Sequence, residues 1–310
     1  MSDQGSIAFV AGTYQNAGAE ARSVRPGAAC AAPLPSFVVV GPPRTGTTWM
    51  HEVLSRHTHL PDPTKETHFF DLHFERGLSW YLDHFPAAIP GRLRGEIAPT
   101  YFASAVARER IAQVLPHAKL VFIFRHPVAR LVSLYRVKRA YGMFEWSLEQ
   151  AIERDPELLE SSRYATHLTQ WLSAFPSQQI SINLYDDLSN DPQAFIDGIV
   201  DFLGVERFRL SSRQMQQVFS TGQLTEPRNY RATRMATTLA DWCKARKLDS
   251  VVAGVRNSSL MRFFVGSGAP FAEIPAPVMR RIADHVRPEI DDLEALLDRD
   301  LSGWKTLPAS

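Results

Sequence analysis

One short stretch, residues 37–50, limits what this chain can fold into more than any other part of the sequence. Its first four residues, Phe-Val-Val-Val, form an apolar run typical of a strand buried on both faces. A turn of glycine and proline follows, with Arg44 as its one cation, and the apolar spacing becomes helical after Gly46. A strand, a tight loop and a helix N-terminus together present backbone N–H groups and the positive end of a helix dipole. The stretch therefore predicts a cradle for a phosphate-like anion, to which Thr47, Thr48 and Arg44 add side-chain donors.

The spacing of Gly41 and Gly46 is that of the P-loop of nucleotide triphosphatases, G-x-x-x-x-G-K-[ST]. Thr47 stands where the P-loop has its lysine, and the cation lies earlier, at Arg44. This difference argues against an ATPase or a kinase that uses Mg²⁺. A nucleotide-dependent phosphotransferase with a degenerate P-loop stays open as the alternative.

A second group of polar residues follows the apolar run at 119–124, which predicts another buried strand. Arg125 lies at the carboxyl end of that strand, the edge at which open α/β sheets bind ligands. Pro127 suits the first turn of a helix, and Ser133 lies about two helical turns beyond Arg125. The guanidinium and the hydroxyl are thus predicted to hold a second phosphate. Alternatively, Arg125 caps the strand and Ser133 is a small residue in a packed helix.

Strands that alternate with helices along most of the chain predict an α/β protein: a P-loop-like, three-layer fold with a central parallel sheet flanked by helices. Residues 1–35 are rich in Ala, Gly, Ser and Pro and are predicted to be a flexible leader. Residues 36–310 are predicted to form a single domain, in which 212–265 is a variable cap segment. A long amphipathic helix, interrupted by Pro288, is predicted at 277–301.

The composition limits the partners of the chain. A net charge of +1 over 310 residues gives no general attraction to nucleic acid or to a membrane, so an anion site has to be local. The two cysteines, Cys30 and Cys243, are far apart, which favours a reducing compartment. No stretch approaches the about 20 apolar residues of a membrane helix, and we expect a cytoplasmic protein. Six of the ten histidines lie between His51 and His84, but they form no helix-face pair, and no metal is expected.

Together, the two anion motifs resemble those of the sulfotransferases. The loop from Pro43 to Trp49 is similar to the family's P-[KR]-[ST]-G-T-T-[WL], which binds a 5′-phosphosulfate. Residues 125–135 are similar to the family's 3′-phosphate pattern, R-x-P-x-x-R-x-x-S-x-Y, at every fixed position. The two motifs occur in the family's order and on the expected elements.

Further segments resemble the heparan sulfate, or Golgi-type, branch of the family. Residues 65–71 are similar to its E-x-H-F-F-D, and residues 96–102 to its E-K-S-P-x-Y-F. The closing segment 296–304 is similar to one that is common in bacterial members. One departure is Ile97, which stands where that branch has the lysine of E-K-S-P, and this weakens the case for a heavily sulfated glycan as acceptor.

The resemblance implies a PAPS-dependent O-sulfotransferase, where PAPS is 3′-phosphoadenosine 5′-phosphosulfate. The acceptor would be a hydroxyl of a sugar, a lipid or a natural product. The implied donor-binding residues are Arg44, Thr45, Gly46, Thr47, Thr48, Trp49, Arg125, Ser133, Tyr185, Arg228 and Arg231. Of these, Trp49 and Tyr185 would lie near the adenine, and Arg228 and Arg231 would close over the 3′-phosphate. Alternatively, Trp49 and Tyr185 are packed in the core, and Arg228 and Arg231 belong to a solvated face.

Sulfuryl transfer should follow the logic of phosphoryl transfer, with a loose in-line transition state served by positioning and electrostatics. Arg44 is placed to stabilise the bridging oxygen as that oxygen gains charge. The resemblance implies Glu66 as the general base. His68 is the alternative base, because cytosolic sulfotransferases use a histidine. Two plainer interpretations stay open. In the first, Glu66 is a loop carboxylate paired with Lys65, and His68 is a structural histidine. In the second, the chain is a binding protein without activity.

Overall fold

The computed structural model describes residues 33–217, 224–245 and 268–308. Almost all of the predicted leader, 1–35, and part of the predicted cap segment, 212–265, lie outside these residues. The strands are β1 (Phe37–Gly41), β2 (Gly95–Ile97), β3 (Lys119–Phe124) and β4 (Ile180–Leu184). The helices are α1 (Thr47–Leu54), α2 (Gly77–Leu82), α3 (Ala105–Val114), α4 (Pro127–Ala140), α5 (Leu148–Arg154), α6 (Glu157–Glu160), α7 (Tyr164–Ala174), α8 (Tyr185–Asn190), α9 (Pro192–Leu203), α10 (Ser212–Gln217), α11 (Tyr230–Ala245) and α12 (Ala276–Leu297).

The four strands form one parallel sheet in the order β2-β1-β3-β4. Val39 of β1 lies opposite Ile97 of β2 on one side and opposite Val121 of β3 on the other. The chain order therefore reverses at β1, and in open parallel sheets a crevice for ligands forms at such a reversal, beyond the carboxyl ends of the strands. The loop after β1 and the residue after β3 both lie at that crevice.

Helices cover both faces of the sheet. Successive side chains of a strand point to opposite faces, and β1 shows this directly. Val39 belongs to a buried cluster with residues of α1 and α9, whereas Val38 and Val40 belong to a second cluster with residues of α4, α7 and α12. These three layers confirm the predicted α/β, P-loop-like fold class.

The last long helix differs from its prediction. The predicted interruption at Pro288 is wrong, because α12 continues through that residue. Pro288 removes the hydrogen bond to the carbonyl of Asp284, but both residues are exposed, so water solvates that carbonyl. The helix is held by its packing on the sheet rather than by this one bond. Its buried stripe consists of Val278, Ile282, Val286, Ile290 and Leu293.

The closing segment, residues 298–306, docks against the start of α8. The Trp304 indole N–H donates to Asp186 Oδ2 at 2.7 Å, and Arg299 donates to Asp187 Oδ1 at 2.7 Å. The ring of His126 donates from Nε2 to the carbonyl oxygen of Thr306 at 2.9 Å. The C-terminal segment thus supports the ends of β3 and β4 from behind the crevice.

We expect Gly41→Ala to reduce the free energy of unfolding by about 1–3 kcal/mol. Gly41 has φ 109°, and a Cβ there would lie 2.5 Å from the Cα of Pro99. Gly198 of α9 is the matched control, since a Cβ there meets nothing within 4 Å. Gly198→Ala should raise the stability by about 0.5–1 kcal/mol. Urea unfolding of both variants measures the difference, and equal stabilities would contradict this account of Gly41.

Candidate functional site

The loop after β1 is shaped to leave the first N–H groups of α1 open. Gly46 precedes the helix with φ 90°, and a Cβ there would lie 3.0 Å from Leu188 and 3.4 Å from the ring of Tyr185. Only glycine suits this backbone without strain. No side chain of the described residues caps α1, so its N-terminal N–H groups remain available to an anion. We call residues 42–46 and the first turn of α1 the anion loop.

Two arginines from different strands meet at the anion loop. Arg44, which has the unusual φ of 72°, donates from Nε to Ser133 Oγ at 3.0 Å. Arg125 donates from Nη1 to the carbonyl oxygen of Arg44 at 3.3 Å, and its Cζ lies 4.7 Å from the ring centroid of Tyr185. The structure thus brings Arg44, Arg125, Ser133 and Tyr185 together, although the two motifs are far apart along the chain.

The two guanidinium groups create a site of excess positive charge. Burial lowers the pKa of Arg44, and the charge of Arg125 lowers it further. Neither arginine forms an ion pair with a carboxylate anywhere in the described part of the chain. Like charges this close are unfavourable unless an anion compensates them, so the geometry is that of an anion-binding site.

The three threonines of the anion loop differ in what they offer a ligand. The Thr45 hydroxyl is fully buried and donates to the carbonyl oxygen of Pro42 at 2.8 Å, so only its backbone N–H is left for the predicted donor binding. Thr47 is buried in the first turn of α1. Thr48 is half-buried, and its hydroxyl accepts a hydrogen bond from Lys65 Nζ at 3.4 Å.

The two predicted adenine contacts lie in different environments. Trp49 is only 7% exposed, its indole N–H donates to the carbonyl oxygen of Gln214 at 2.8 Å, and its ring meets Phe195 edge-on. This environment favours the core interpretation of Trp49, and its contact with adenine stays a prediction. Tyr185 is half-buried between Gly46 and Arg125, at the crevice itself.

Arg228 and Arg231 are exposed residues just before α11 and in its first turn. Helix α11 meets the C-terminal end of α4, where Thr237 donates to the carbonyl oxygen of Tyr141 at 3.2 Å. That contact lies about 12 Å beyond Ser133 along the axis of α4. Nearer Ser133, Arg139 of α4 donates from Nε to the hydroxyl of Tyr230, the neighbour of Arg231, at 2.9 Å. Closure of the two arginines over a 3′-phosphate stays a prediction.

Residues 65–71, which we call the acid–base loop, carry a buried carboxylate and a histidine, and Lys65 of this loop contacts Thr48 of the anion loop. Glu66 is 5% exposed, and its Oε1 lies 3.4 Å from Lys65 Nζ. His68, at φ 52°, lies with Nδ1 3.2 Å from Asp71 Oδ2, and the hydroxyl of Thr100 donates to the same oxygen at 3.0 Å. The predicted pair of Glu66 and His68 is therefore present in a nearly water-free environment.

His68 is held in its charged form. Burial alone would lower its pKa, but the hydrogen bond to Asp71, the charge of Asp71 and the charges of Glu66 and Glu96 raise it to about 9. At neutral pH the ring is therefore an imidazolium, which donates protons and does not accept them. Its Nε2 is buried without a hydrogen-bond partner among the described residues. This charge state disfavours His68 as the base and favours Glu66.

Glu96 is a site residue to which sequence reasoning gave no role. It is fully buried and accepts from the backbone N–H of Thr67 at 2.9 Å and from the Thr67 hydroxyl at 2.6 Å. The hydroxyls of Tyr81 and Tyr101 also donate to it, at 2.9 and 3.3 Å. Burial raises the pKa of Glu96, while these hydrogen bonds oppose the shift. Because Thr67 lies between Glu66 and His68, this cluster fixes both.

The described ranges, 33–217, 224–245 and 268–308, lack two further features. No group of three or more His, Cys, Asp or Glu residues there could hold a metal ion. No helix there is long and apolar enough to cross a membrane.

Comparisons with known proteins agree with the geometry. A model of the sulfotransferase domain family matches residues 34–253. The bifunctional heparan sulfate N-deacetylase/N-sulfotransferase 2 of Bos taurus is 33% identical over 208 residues, which cover 59% of this chain and 23% of that protein. The heparan sulfate glucosamine 3-O-sulfotransferase 3B1 of Homo sapiens is 30% identical over 183 residues, which cover 56% of this chain and 47% of that protein. The chain thus spans less than half the length of these curated relatives.

A solved structure supports the fold. The sulfotransferase from Alicyclobacillus acidocaldarius superimposes with a TM-score of 0.63 at 19% identity. The match covers 89% of this chain and 100% of that one. At this level of sequence identity, the structural similarity supports the fold and says nothing about activity.

We expect the ring of His68 to titrate near pH 9 in the folded protein, and at a lower pH in Asp71→Asn, which removes the partner charge. Because the folded pKa lies above the unfolded value of about 6.5, the stabilisation is complete below that pH and is lost as the pH rises through 9. NMR titration of the ring protons measures both pKa values. A His68 that titrates below pH 7 in the unsubstituted protein would contradict the assignment.

Proposed function

Because this chain belongs to the sulfotransferase domain family, we propose that it transfers a sulfuryl group from PAPS to an acceptor hydroxyl or amine. The observation that carries the proposal is the pair Arg44 and Arg125, which converge at the anion loop while no carboxylate of the described residues forms an ion pair with either. Such a pair suits a ligand with several negative charges. The degenerate P-loop alternative has no comparable support.

The residues of the crevice fit the charges of PAPS. The anion loop, with Arg44, Thr47 and Thr48, would hold the 5′-phosphosulfate, since its helix N-terminus is uncapped in the described chain. Arg125 and Ser133 would hold the 3′-phosphate. When bound, the donor supplies the sulfuryl group and a phosphate oxygen that leaves with the electron pair of the broken S–O bond, as the acceptor atom bonds to sulfur.

The acid–base loop would prepare the acceptor. Glu66 takes the proton of the acceptor hydroxyl or amine, because it is the buried carboxylate that lies beside the anion loop. His68 keeps its proton and points an N–H group at an oxygen of the acceptor or of the sulfuryl group. Arg44 stabilises the charge that grows on the leaving phosphate oxygen.

A sugar is the first acceptor class to test. The names of both curated relatives refer to heparan sulfate, one with N-sulfation and the other with 3-O-sulfation. Ile97 in place of a cation argues for an acceptor of low charge, so desulfated heparan sulfate is the appropriate probe. We also propose a cytoplasmic location, supported by the two distant cysteines.

We expect Arg125→Ala to weaken binding of PAP, the product 3′-phosphoadenosine 5′-phosphate, about 10- to 100-fold, because one charge-assisted contact to the 3′-phosphate is lost. Binding of adenosine 5′-phosphate, which lacks that phosphate, should change little. Arg281→Ala, at an exposed residue of α12, is the control that should leave both affinities unchanged. Calorimetric titration measures them. Equal loss of both ligands would contradict the assignment, and binding of ATP–Mg²⁺ without binding of PAP would overturn the proposed function.

Glu66→Gln should reduce kcat for sulfuryl transfer about 10²- to 10⁴-fold, because the amide cannot accept the acceptor proton. The PAP dissociation constant should stay within about threefold, since Glu66 faces the acceptor. Glu75→Gln, at a carboxylate that is 93% exposed, is the control and should keep full activity. The assay follows ³⁵S from labelled PAPS into desulfated heparan sulfate. Unchanged kcat in Glu66→Gln would refute Glu66 as the base.

A further inference from the structure

Lys65 carries a buried ammonium between the anion loop and the proposed base. Its side chain is only 10% exposed. Nζ lies 3.4 Å from the hydroxyl oxygen of Thr48 on one side and 3.4 Å from Oε1 of Glu66 on the other. Both distances are longer than an ordinary hydrogen bond, and an ammonium has three donors to place. At least one donor is therefore left without an acceptor among the described residues.

The surroundings of Lys65 do not neutralise the local charge. Burial lowers its pKa, the carboxylate of Glu66 opposes that shift, and the charge of Arg44 adds to it. His51, which also faces Lys65, contributes no charge, because burial and the ammonium lower its pKa to about 4. With Arg125 beside Arg44, three cations therefore lie at the crevice, and of these only Lys65 is paired with a carboxylate among the described residues, Glu66. An ion pair that only stabilised the fold would not need this excess of positive charge beside it.

We propose that Lys65 is a further catalytic residue, whose ammonium contacts an oxygen of the sulfuryl group during transfer. This rests on the proposed function. The group leaves the phosphate held by the anion loop and reaches the acceptor activated by Glu66, and Nζ lies the same short distance from Thr48 and from Glu66. An ammonium between the two ends of the path stabilises the oxygens as the bond to phosphate breaks and the bond to the acceptor forms. Lys65 keeps its proton throughout, and the bonds are those of the proposed transfer.

If Lys65 contacts the sulfuryl group, its substitution should lower kcat without weakening the binding of the product PAP. PAP has the 5′-phosphate but no sulfuryl group, so a residue that acts on the sulfuryl group contributes little to PAP affinity. A residue that binds the phosphate loses kcat and PAP affinity together. A residue that merely holds Glu66 in place lowers kcat alone, but its substitution causes no further loss in Glu66→Gln, so Lys65→Met is compared in the unsubstituted protein and in Glu66→Gln.

The test compares Lys65→Met with Lys65→Arg, which keeps the charge. The kcat of Lys65→Met should fall about 10²- to 10³-fold, while its PAP dissociation constant stays within about threefold, and Lys65→Arg should recover part of the kcat. The matched control is Lys119→Met, at a lysine whose Nζ donates to the carbonyl oxygens of Phe202 and Leu203 at the opposite edge of the sheet. Its kcat should stay within about threefold.

Turnover is followed as ³⁵S release from labelled PAPS, with desulfated heparan sulfate and with water as acceptors, and PAP binding by calorimetry. Near-wild-type kcat in Lys65→Met overturns the proposal, and so does a loss of PAP affinity as large as the loss of kcat. A Lys65→Met substitution that causes no further loss of kcat in Glu66→Gln also overturns it, because Lys65 would then act only through Glu66. If Lys65→Met does not fold, Lys65→Gln replaces it under the same criteria. An unsubstituted protein that neither binds PAP nor releases ³⁵S overturns the proposed function itself, whereas the Lys65 outcomes count only in a protein that does both.

Discussion

The close approach of Arg44 and Arg125 is the interaction on which the rest of the crevice depends. Arg44 adopts a left-handed backbone, which costs free energy for any residue other than glycine, and Arg125 donates to the carbonyl oxygen of that strained residue. Ser133 holds the guanidinium of Arg44, and the hydroxyl of Tyr164 holds the carbonyl oxygen of Arg125 at 2.9 Å. Neutral groups thus orient two cations that repel each other. A bound anion would relieve this repulsion.

Much of the molecule behind the crevice serves to keep these cations in place. Arg130, the second arginine of the 125–135 motif, is fully buried and donates to the carbonyl oxygen of Leu158, so it ties α4 to α6. The closing segment, through Trp304 and Asp186, fixes the helix that begins with Tyr185. The closing segment, although far from the anion loop along the chain, therefore has a structural role at the crevice.

The sequence predicted those parts of the site that depend on neighbours along the chain. The bounds of β3 agree with the apolar run at 119–124, and α4 begins at Pro127 as predicted, because apolar runs and helix-start residues are local signals. The roles of Glu96 and Lys65 could not be predicted, since they depend on which side chains of distant segments end up buried together. The resemblance implied Thr45 as a donor-binding residue, but its hydroxyl donates to the Pro42 carbonyl, a partner that depends on the loop conformation. The helix through Pro288 likewise depends on packing against the sheet.

The distance between the cations and the proposed base is set by strand pairing rather than by the acceptor. Glu96 lies in β2 and holds Thr67 by two hydrogen bonds, which ties the acid–base loop to that strand. β2 pairs with β1, and the N–H of Ala98 donates to the carbonyl oxygen of Val39 at 3.0 Å, just before the anion loop begins. Two adjacent strands therefore anchor the anion loop and the acid–base loop, and the separation of these strands is close to the about 4.8 Å of any parallel pair. The distance between β1 and β2 does not depend on the acceptor. Acceptor specificity therefore has to come from side chains outside these two strands.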